Sequence, residues 1–267
     1  MSENMISSLQ NPAVKEVVKL QQKHQERRKK KRFVVEGIRE VSLALQTGVV
    51  PAHLFVCKDY FLENIEYPIQ FEKYSEITKW VSPKLYEKIA YRSHAEGIIL
   101  IAEAYEMDLN KLKLQKNPLI IALESVEKPG NLGAILRTAD AANADAVIVC
   151  DPKTDIFNPN VIRSSLGCVF TRQIAVCTAE QLIDWTSEQS IKICIASVQS
   201  QENYFEKDLT QGIAFVFGTE AHGLSEIWYK YAHEQLRIPM QGRIDSLNVS
   251  ASVAIMIFEA VRQRLSK

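Results

Sequence analysis

The chain of 267 residues has no run of eighteen apolar residues, so no segment is expected to cross a membrane as a helix. Its first residues, MSENMISSLQNP, hold no apolar core of the kind a secretion signal carries, and a cytoplasmic protein is expected. Cysteine is sparse and odd in number: Cys57, Cys150, Cys168, Cys177 and Cys194 are scattered, with no C-x-x-C and no Cys/His ligand spacing. That pattern argues for reduced core thiols and against a disulfide framework or a metal site, so no metal is expected. No G-x-G-x-x-G follows the first strand, and G-x-x-x-x-G-K-[ST] and G-x-S-x-G are also missing. The common dinucleotide, nucleoside triphosphate and serine-hydrolase readings lose support accordingly. Net charge is absent as well, at a formal zero, which alone argues neither for nor against nucleic acid.

What is present is a globular composition, 46% hydrophobic and 24% charged. The length suits two modest domains or one large one. Charge is unevenly spread: residues 1–116 hold 19 Lys+Arg against 15 Asp+Glu, and residues 117–267 hold 13 against 17. The excess is densest in the run Arg27, Arg28, Lys29, Lys30, Lys31, Arg32. Such a run is either a phosphate-contacting patch or a solvated face.

Periodicity predicts a small αβα unit over residues 1–106: a helix over 6–24, strands at 33–37, 52–57 and 97–102, and a weak strand near 69–71. Helices are expected over 38–45, 75–80 and 83–89. Residues 107–117 are polar and read as a linker. From 118 to 267 short apolar strands alternate with helices, beginning with Leu119–Leu123, an unbroken apolar run of the kind buried on both faces of a parallel sheet. This predicts a doubly wound α/β domain, with its site at the C-terminal ends of the strands.

Three loops stand at such ends. Asn131-Leu-Gly-Ala-Ile-Leu-Arg137 opens a helix, where Asn131 reads as a cap and Arg137 lies on an otherwise apolar segment. Gly218-Thr-Glu-Ala-His-Gly-Leu224 holds Glu220 between two glycines, with His222 read as a loop residue. Ile238-Pro-Met-Gln-Gly-Arg-Ile-Asp-Ser-Leu-Asn-Val-Ser250 runs from a strand that proline ends, through a turn, to a helix start at Ser246 and Asn248. Free backbone N–H and C=O groups there suit a small polar ligand. Each loop by itself is equally an ordinary connection.

Taken in order, N-x-G-x-x-x-R-T, G-x-E-x-x-G-L and I-P-M-x-G-x-x-x-S-L-N-V-S resemble the three motifs of the SpoU/TrmH family of RNA 2′-O-ribose methyltransferases, across residues 119–264. Asn158-Pro-Asn-Val-Ile-Arg-Ser-Ser-Leu-Gly167 is similar to that family's connecting segment. The N-terminal unit resembles, more loosely, its ribosomal-protein-like substrate-binding domain. The resemblance implies a SPOUT-type parallel sheet with a C-terminal deep trefoil knot, a topology that general rules would not suggest. It implies S-adenosylmethionine, held by main-chain groups at Gly218, Ile238 and Leu247 beside Met240. It implies Arg137, Asn131, Glu220, Ser246 and Asn248 as the catalytic set, with Arg137 either a base or an electrostatic stabiliser. The partners implied are structured RNA, ribosomal or transfer, and a second copy of the chain docked through the knotted domain. With RNA as substrate, the basic run Arg27–Arg32 reads as a backbone contact. The competing readings are a base-methylating relative, a catalytically silent RNA-binding or ribosome-assembly protein, and a generic nucleotide-binding domain.

Overall fold

The structure is a computed structural model that describes residues 5–61, 66–91, 96–219 and 222–266. In chain order its elements are α1 Pro12–Gln22, α2 His24–Lys30, β1 Arg32–Glu36, α3 Ile38–Gln46, β2 Pro51–Val56, β3 Thr78–Trp80, α4 Pro83–Ile89 and β4 Ile98–Glu103. Next come β5 Leu119–Glu124, α5 Pro129–Ala141, β6 Ala146–Cys150, α6 Pro159–Ser164, α7 Cys168–Thr171, β7 Ile174–Cys177 and α8 Ala179–Glu188. Last are β8 Lys192–Ala196, β9 Ile213–Phe217, α9 Glu226–Tyr231, β10 Glu234–Leu236 and α10 Val249–Leu265. The chain divides into two compact units, residues 1–106 with 155–171, and residues 107–154 with 172–267.

The first unit is built on a four-stranded sheet in the order β1-β4-β2-β3. Strand β4 runs antiparallel to β1 and β2, and β3 is parallel to β2. One face packs Val34, Phe55, Ile99 and Ile101 against Val14, Val17 and Leu20 of α1 and Leu85, Tyr86 and Ile89 of α4. The alternate residues Phe33, Val35, Leu54, Val56, Ile98 and Leu100 are buried as well, and α3 contacts β1 and β4. Alternation along a strand sends successive side chains to opposite faces, so both faces of this sheet are covered. Helix α1 starts later than its periodicity suggests, because Asn11 caps it and Pro12 takes the first helical position. The expected helix over 75–80 is replaced by β3. Thr78, Lys79 and Trp80 pair with Leu54, Phe55 and Val56, a long-range contact that overrides local propensity.

Residues 155–171 lie far along the sequence yet pack in this first unit. Phe157 stacks on Phe33 with ring centroids 4.2 Å apart, and Phe170 lies 6.1 Å from the same ring. Asn158 caps α6 through its side chain.

The second unit is a six-stranded, wholly parallel sheet in the order β10-β8-β9-β5-β6-β7. One side buries Ile120, Ala122, Ile148, Ile193 and Val216 beneath Leu182 and Trp185 of α8 and Trp228 of α9. Helices α5 and α10 pack against each other, burying Leu132, Ile135, Leu136 and Ala139 of one and Val253, Met256, Ile257 and Ala260 of the other. Residues 107–117 are less linker-like than their polarity suggests: Leu109 is buried in this core, and Leu112 and Leu114 pack on it. Connections leave β5 toward β6 on one side, while β9 flanks it on the other. That reversal of strand order opens a crevice at the C-terminal ends of the strands.

Candidate active site

Two adjoining cavities lie at those strand ends. The larger, about 280 Å³, is walled by Ala196–Val198 after β8, Phe217–Thr219 after β9, Leu236–Ile238 at β10 and Asp245–Leu247 before α10. Met240 and Met256 line it too. The second, about 220 Å³, is lined by Leu123, Glu124, Val126, Glu127 and Lys128 after β5 and by Asn131 of α5. Phe217, Gly218, Thr219 and Val249 border both.

The chain is tied tightly around this crevice. Thr219 N–H donates to the Gly223 carbonyl at 3.1 Å, and Gly223 N–H donates to the Thr219 carbonyl at 2.9 Å. A Cβ on Gly218 would collide with that Gly223 carbonyl, so only glycine lets the loop fold back. Gly223 sits at φ +67°, which also favours glycine. The Glu124 carboxylate accepts from Ser225 N–H at 2.9 Å and from Ser225 Oγ–H at 2.6 Å, pinning the end of β5 to the loop after β9. Arg237 is held by Asn203, whose Oδ1 accepts from Nε at 3.1 Å. Among the described residues the main-chain groups of Gly218, Ile238 and Leu247 enter no hydrogen bond with each other or with neighbouring backbone. They face a largely apolar cavity as open donors and acceptors. A compact ligand with both apolar and polar parts is what such a lining accepts.

The predicted loops therefore meet, though two residues act differently from the sequence reading. Asn131 does not cap α5. The cap position is Lys128, and Asn131 lies inside the first turn, where its Oδ1 accepts from Asn248 Nδ2 at 3.2 Å. Asn248, rather than Ser246, caps α10, its Oδ1 accepting from Ser250 N–H at 3.0 Å and Ser250 Oγ–H at 2.6 Å. Ser246 is exposed at the rim of the larger cavity, its hydroxyl donating to Asp245 at 3.2 Å. The Arg137 side chain is exposed and makes no hydrogen bond or ion pair among the described residues. It follows Asn131 by six positions, which turns it about 240° around the helix axis. It therefore leaves α5 on a different face and does not line either cavity. Glu220 lies outside the described residues. Glu124 and Ser225 belong to the site but to none of the residues that the sequence picks out, and Thr219 only as a member of the Gly218–Leu224 loop. Their positions at the end of β5 and in the connection after β9 are the only signal they carry.

The basic run is not one uniform surface. Arg27 is 6% exposed; its Nε meets Asp155 at 2.5 Å and its Nη1 donates to the Leu20 carbonyl at 2.6 Å. Its burial and its pairing with the half-buried Asp155 remove it from any phosphate-contacting surface, contrary to the expectation. Lys30 and Arg32 share Glu16 at 3.1 and 3.4 Å, and Arg32 also meets Glu103 at 2.7 Å. Burial raises the Glu16 pKa, but the hydrogen bond and charge of Lys30, with the charge of Arg32, outweigh it and hold the carboxyl below its usual range. Arg28, Lys29 and Lys31 are exposed. Arg27–Lys30 make the second half of α2, Lys31 caps its C-terminus in the left-handed region at φ 50°, and Arg32 opens β1.

Among the described residues no group of three or more His, Cys, Asp or Glu could hold a metal ion, and no helix is long and apolar enough to cross a membrane.

Residues 118–258 match the family model described as the SpoU rRNA methylase family, and residues 11–100 match that of an MRM3-like substrate binding domain. The chain is 28% identical to the 23S rRNA (guanosine(2553)-2′-O)-methyltransferase of Bacillus subtilis, over 95% of this chain and 97% of the relative. It superposes on the crystal structure of an RNA 2′-O ribose methyltransferase with a TM-score of 0.82 and 35% identity, covering 98% of this chain and 99% of the other. An AdoMet-bound rRNA methyltransferase from Sinorhizobium meliloti matches with a TM-score of 0.86 and 29% identity, over 97% of each chain.

Proposed function

The chain belongs to the SpoU rRNA methylase family, and from that premise we propose how its residues carry out the reaction. It is an RNA ribose 2′-O-methyltransferase that uses S-adenosylmethionine as methyl donor. We take the acceptor to be ribosomal RNA, as in the similar Bacillus subtilis enzyme. The observation that carries the reading is the pair of cavities sharing Phe217–Thr219: one edged by unbonded main-chain groups, the other holding Asn131.

The residues of the larger cavity fit the donor. Gly218, Ile238 and Leu247 offer main-chain hydrogen bonds, and Met240, Leu236 and Met256 offer apolar contact. When bound there, S-adenosylmethionine supplies an electrophilic methyl group on a sulfonium. The second cavity would hold the target ribose, close to the shared wall. Orientation of this kind contributes about 7 kcal/mol in well-aligned cases. The 2′-hydroxyl is a very weak acid, so its oxygen must lose a proton as it attacks. General-base help is typically worth ~10²–10⁴-fold. A guanidinium keeps its positive charge throughout the working range of pH, so Arg137 acts here as a cation that stabilises the developing charge on the 2′-oxygen and grips the adjacent phosphate. Asn131, fixed by Asn248, positions the ribose. Glu220 and Ser246 complete the proposed set.

We propose the finer architecture by resemblance to the family. We read the path from the edge strand β10 through residues 237–248 to α10, which returns to α5, as a deep trefoil knot. We read the second unit as the docking surface of a homodimer, in which Arg137 completes the partner's site. Its departure from the Asn131 face supports this, as does Phe258 of α10, 45% exposed. The first unit, with its ribosomal-protein-like layering, would hold RNA through Arg28, Lys29 and Lys31, in the cytoplasm. Mapping 2′-O-methyl groups across the ribosomal and transfer RNA of a deletion strain tests the reading. One missing ribose methyl in ribosomal RNA is expected; an unchanged map would refute it.

A further inference from the structure

Two cysteines outside the proposed chemistry stand side by side in the core of the second unit. Cys150 ends β6 and Cys177 ends β7, and the two are direct partners in the parallel register. Their Sγ atoms lie 3.8 Å apart. Cys150 is fully buried and Cys177 is partly exposed. The hydrogen bond to Cys177, then burial, push the Cys150 thiol up, so Cys177 is the thiol that meets an oxidant first and Cys150 loses its proton only as it closes the bond. Partners on adjacent strands are about 4.8 Å apart, inside the ~4.4–6.8 Å Cα separation that a disulfide spans.

The same residues hold the cavity in shape. Ser125 N–H donates to the Cys150 carbonyl at 2.8 Å, and Asp151 N–H donates to the Cys177 carbonyl at 3.0 Å. Ser125 and Asp151 are non-glycine residues in the left-handed region, at φ 51° and 48°. A backbone held in that region depends on the surrounding bonds to keep it there. Ser125 leads directly into Val126, Glu127 and Lys128, which line the second cavity.

We propose that Cys150 and Cys177 form a reversible oxidative modification site, whose disulfide displaces the Ser125–Lys128 loop and slows methyl transfer. The oxidant is a hydroperoxide. Cys177, the partly exposed thiol, gives up its proton as its sulfur attacks the terminal peroxide oxygen; the O–O bond breaks, the departing alkoxide or hydroxide takes that proton and leaves as alcohol or water, and Cys177 becomes a sulfenic acid. The Cys150 sulfur then attacks the sulfenic sulfur; the S–O bond breaks, and water leaves with the Cys150 proton. Two thiols lose two electrons and one peroxide bond gains them. A bond between adjacent parallel strands is strained, which makes it easy for a dithiol to reduce.

The effect on turnover rests on the proposed function; formation of the bond does not. Purified full-length protein treated with hydrogen peroxide, then digested without reductant, should yield a Cys150–Cys177 linked peptide pair by mass spectrometry. Methyl transfer to ribosomal RNA should fall roughly ten- to hundredfold, the scale on which a misplacement of about an ångström acts. Dithiothreitol should restore it. Cys177→Ser and Cys177→Ala should keep the untreated activity and resist peroxide. Over-oxidised cysteines with no Cys150–Cys177 link would overturn the site. A link that leaves methyl transfer unchanged would overturn its consequence. Untreated protein that methylates no RNA would defeat the functional reading instead, and the linked peptide would still decide the modification.

Discussion

Asn248 Nδ2 donates to Asn131 Oδ1 at 3.2 Å, joining the cap of the last helix to the first turn of α5 across 117 positions of sequence. Each asparagine thereby fixes the other at the edge of the second cavity. Asn131→Ala should lower methyl transfer by roughly 100-fold, because the ribose loses its positioning group and Asn248 its acceptor. Asn131→Asp retains an acceptor oxygen and should fall less. Cofactor affinity, read by calorimetry, should stay near that of the wild type in both. A parallel loss of cofactor binding would mean that the pair supports the larger cavity instead.

Arg137 and Asn131 leave α5 on different faces, so a complete site needs two chains if both act on one ribose. Co-expressed Asn131→Ala and Arg137→Ala chains, carrying different tags, should give a mixed dimer with one intact site and about half the wild-type activity. Each single variant alone should be nearly inactive. A mixed dimer as inactive as its parents would place both residues in one chain's site.

Within the basic run, stability and RNA binding should separate. Arg27→Met leaves Asp155 without its buried partner and should cost about 3–5 kcal/mol in denaturant unfolding. Replacing Arg28, Lys29 and Lys31 by alanine should change stability little. It should flatten the salt dependence of RNA binding by about 0.7–0.9 in log–log slope for each phosphate that is no longer neutralised. An unchanged slope would remove α2 from the RNA interface.

Glu16 sets a pH dependence in the first unit. Its folded pKa is lowered, so its contribution to stability is present above the unfolded carboxyl value and is lost as pH falls through the folded one. Acid titration of unfolding should show a steeper loss for wild type than for Glu16→Gln, with the two curves converging at the acid end. Curves that stay parallel from neutral pH downward would show that Lys30 and Arg32 contribute nothing through this carboxylate.

Much of the catalytic half is legible in the sequence because its strands are short apolar runs and its loops carry motifs in a fixed order. Asn131 reads as a cap because a polar residue near a helix start has the same local signature in either role. Only the fold reveals Asn248 opposite it. The packing of residues 155–171 into the first unit has no local signature, since it depends on Phe33, Phe157 and Arg27 meeting Asp155 and its neighbours across more than a hundred positions. Helix α2 is hidden because charged residues have no apolar period. The strand at Thr78–Trp80 exists through its pairing with β2, which no local window contains.

The proposed reaction itself is put to the test by transfer of labelled methyl from S-adenosylmethionine to ribosomal RNA isolated from a strain lacking this gene. After alkaline hydrolysis, label on a ribose 2′-oxygen stays in an alkali-resistant dinucleotide, because the blocked hydroxyl cannot attack the neighbouring phosphate. Label in that fraction is expected for the wild type, and none for Arg137→Ala. Label recovered in mononucleotides, where a base methyl would appear, or no transfer by protein that binds the cofactor, would contradict ribose 2′-O-methylation by this chain.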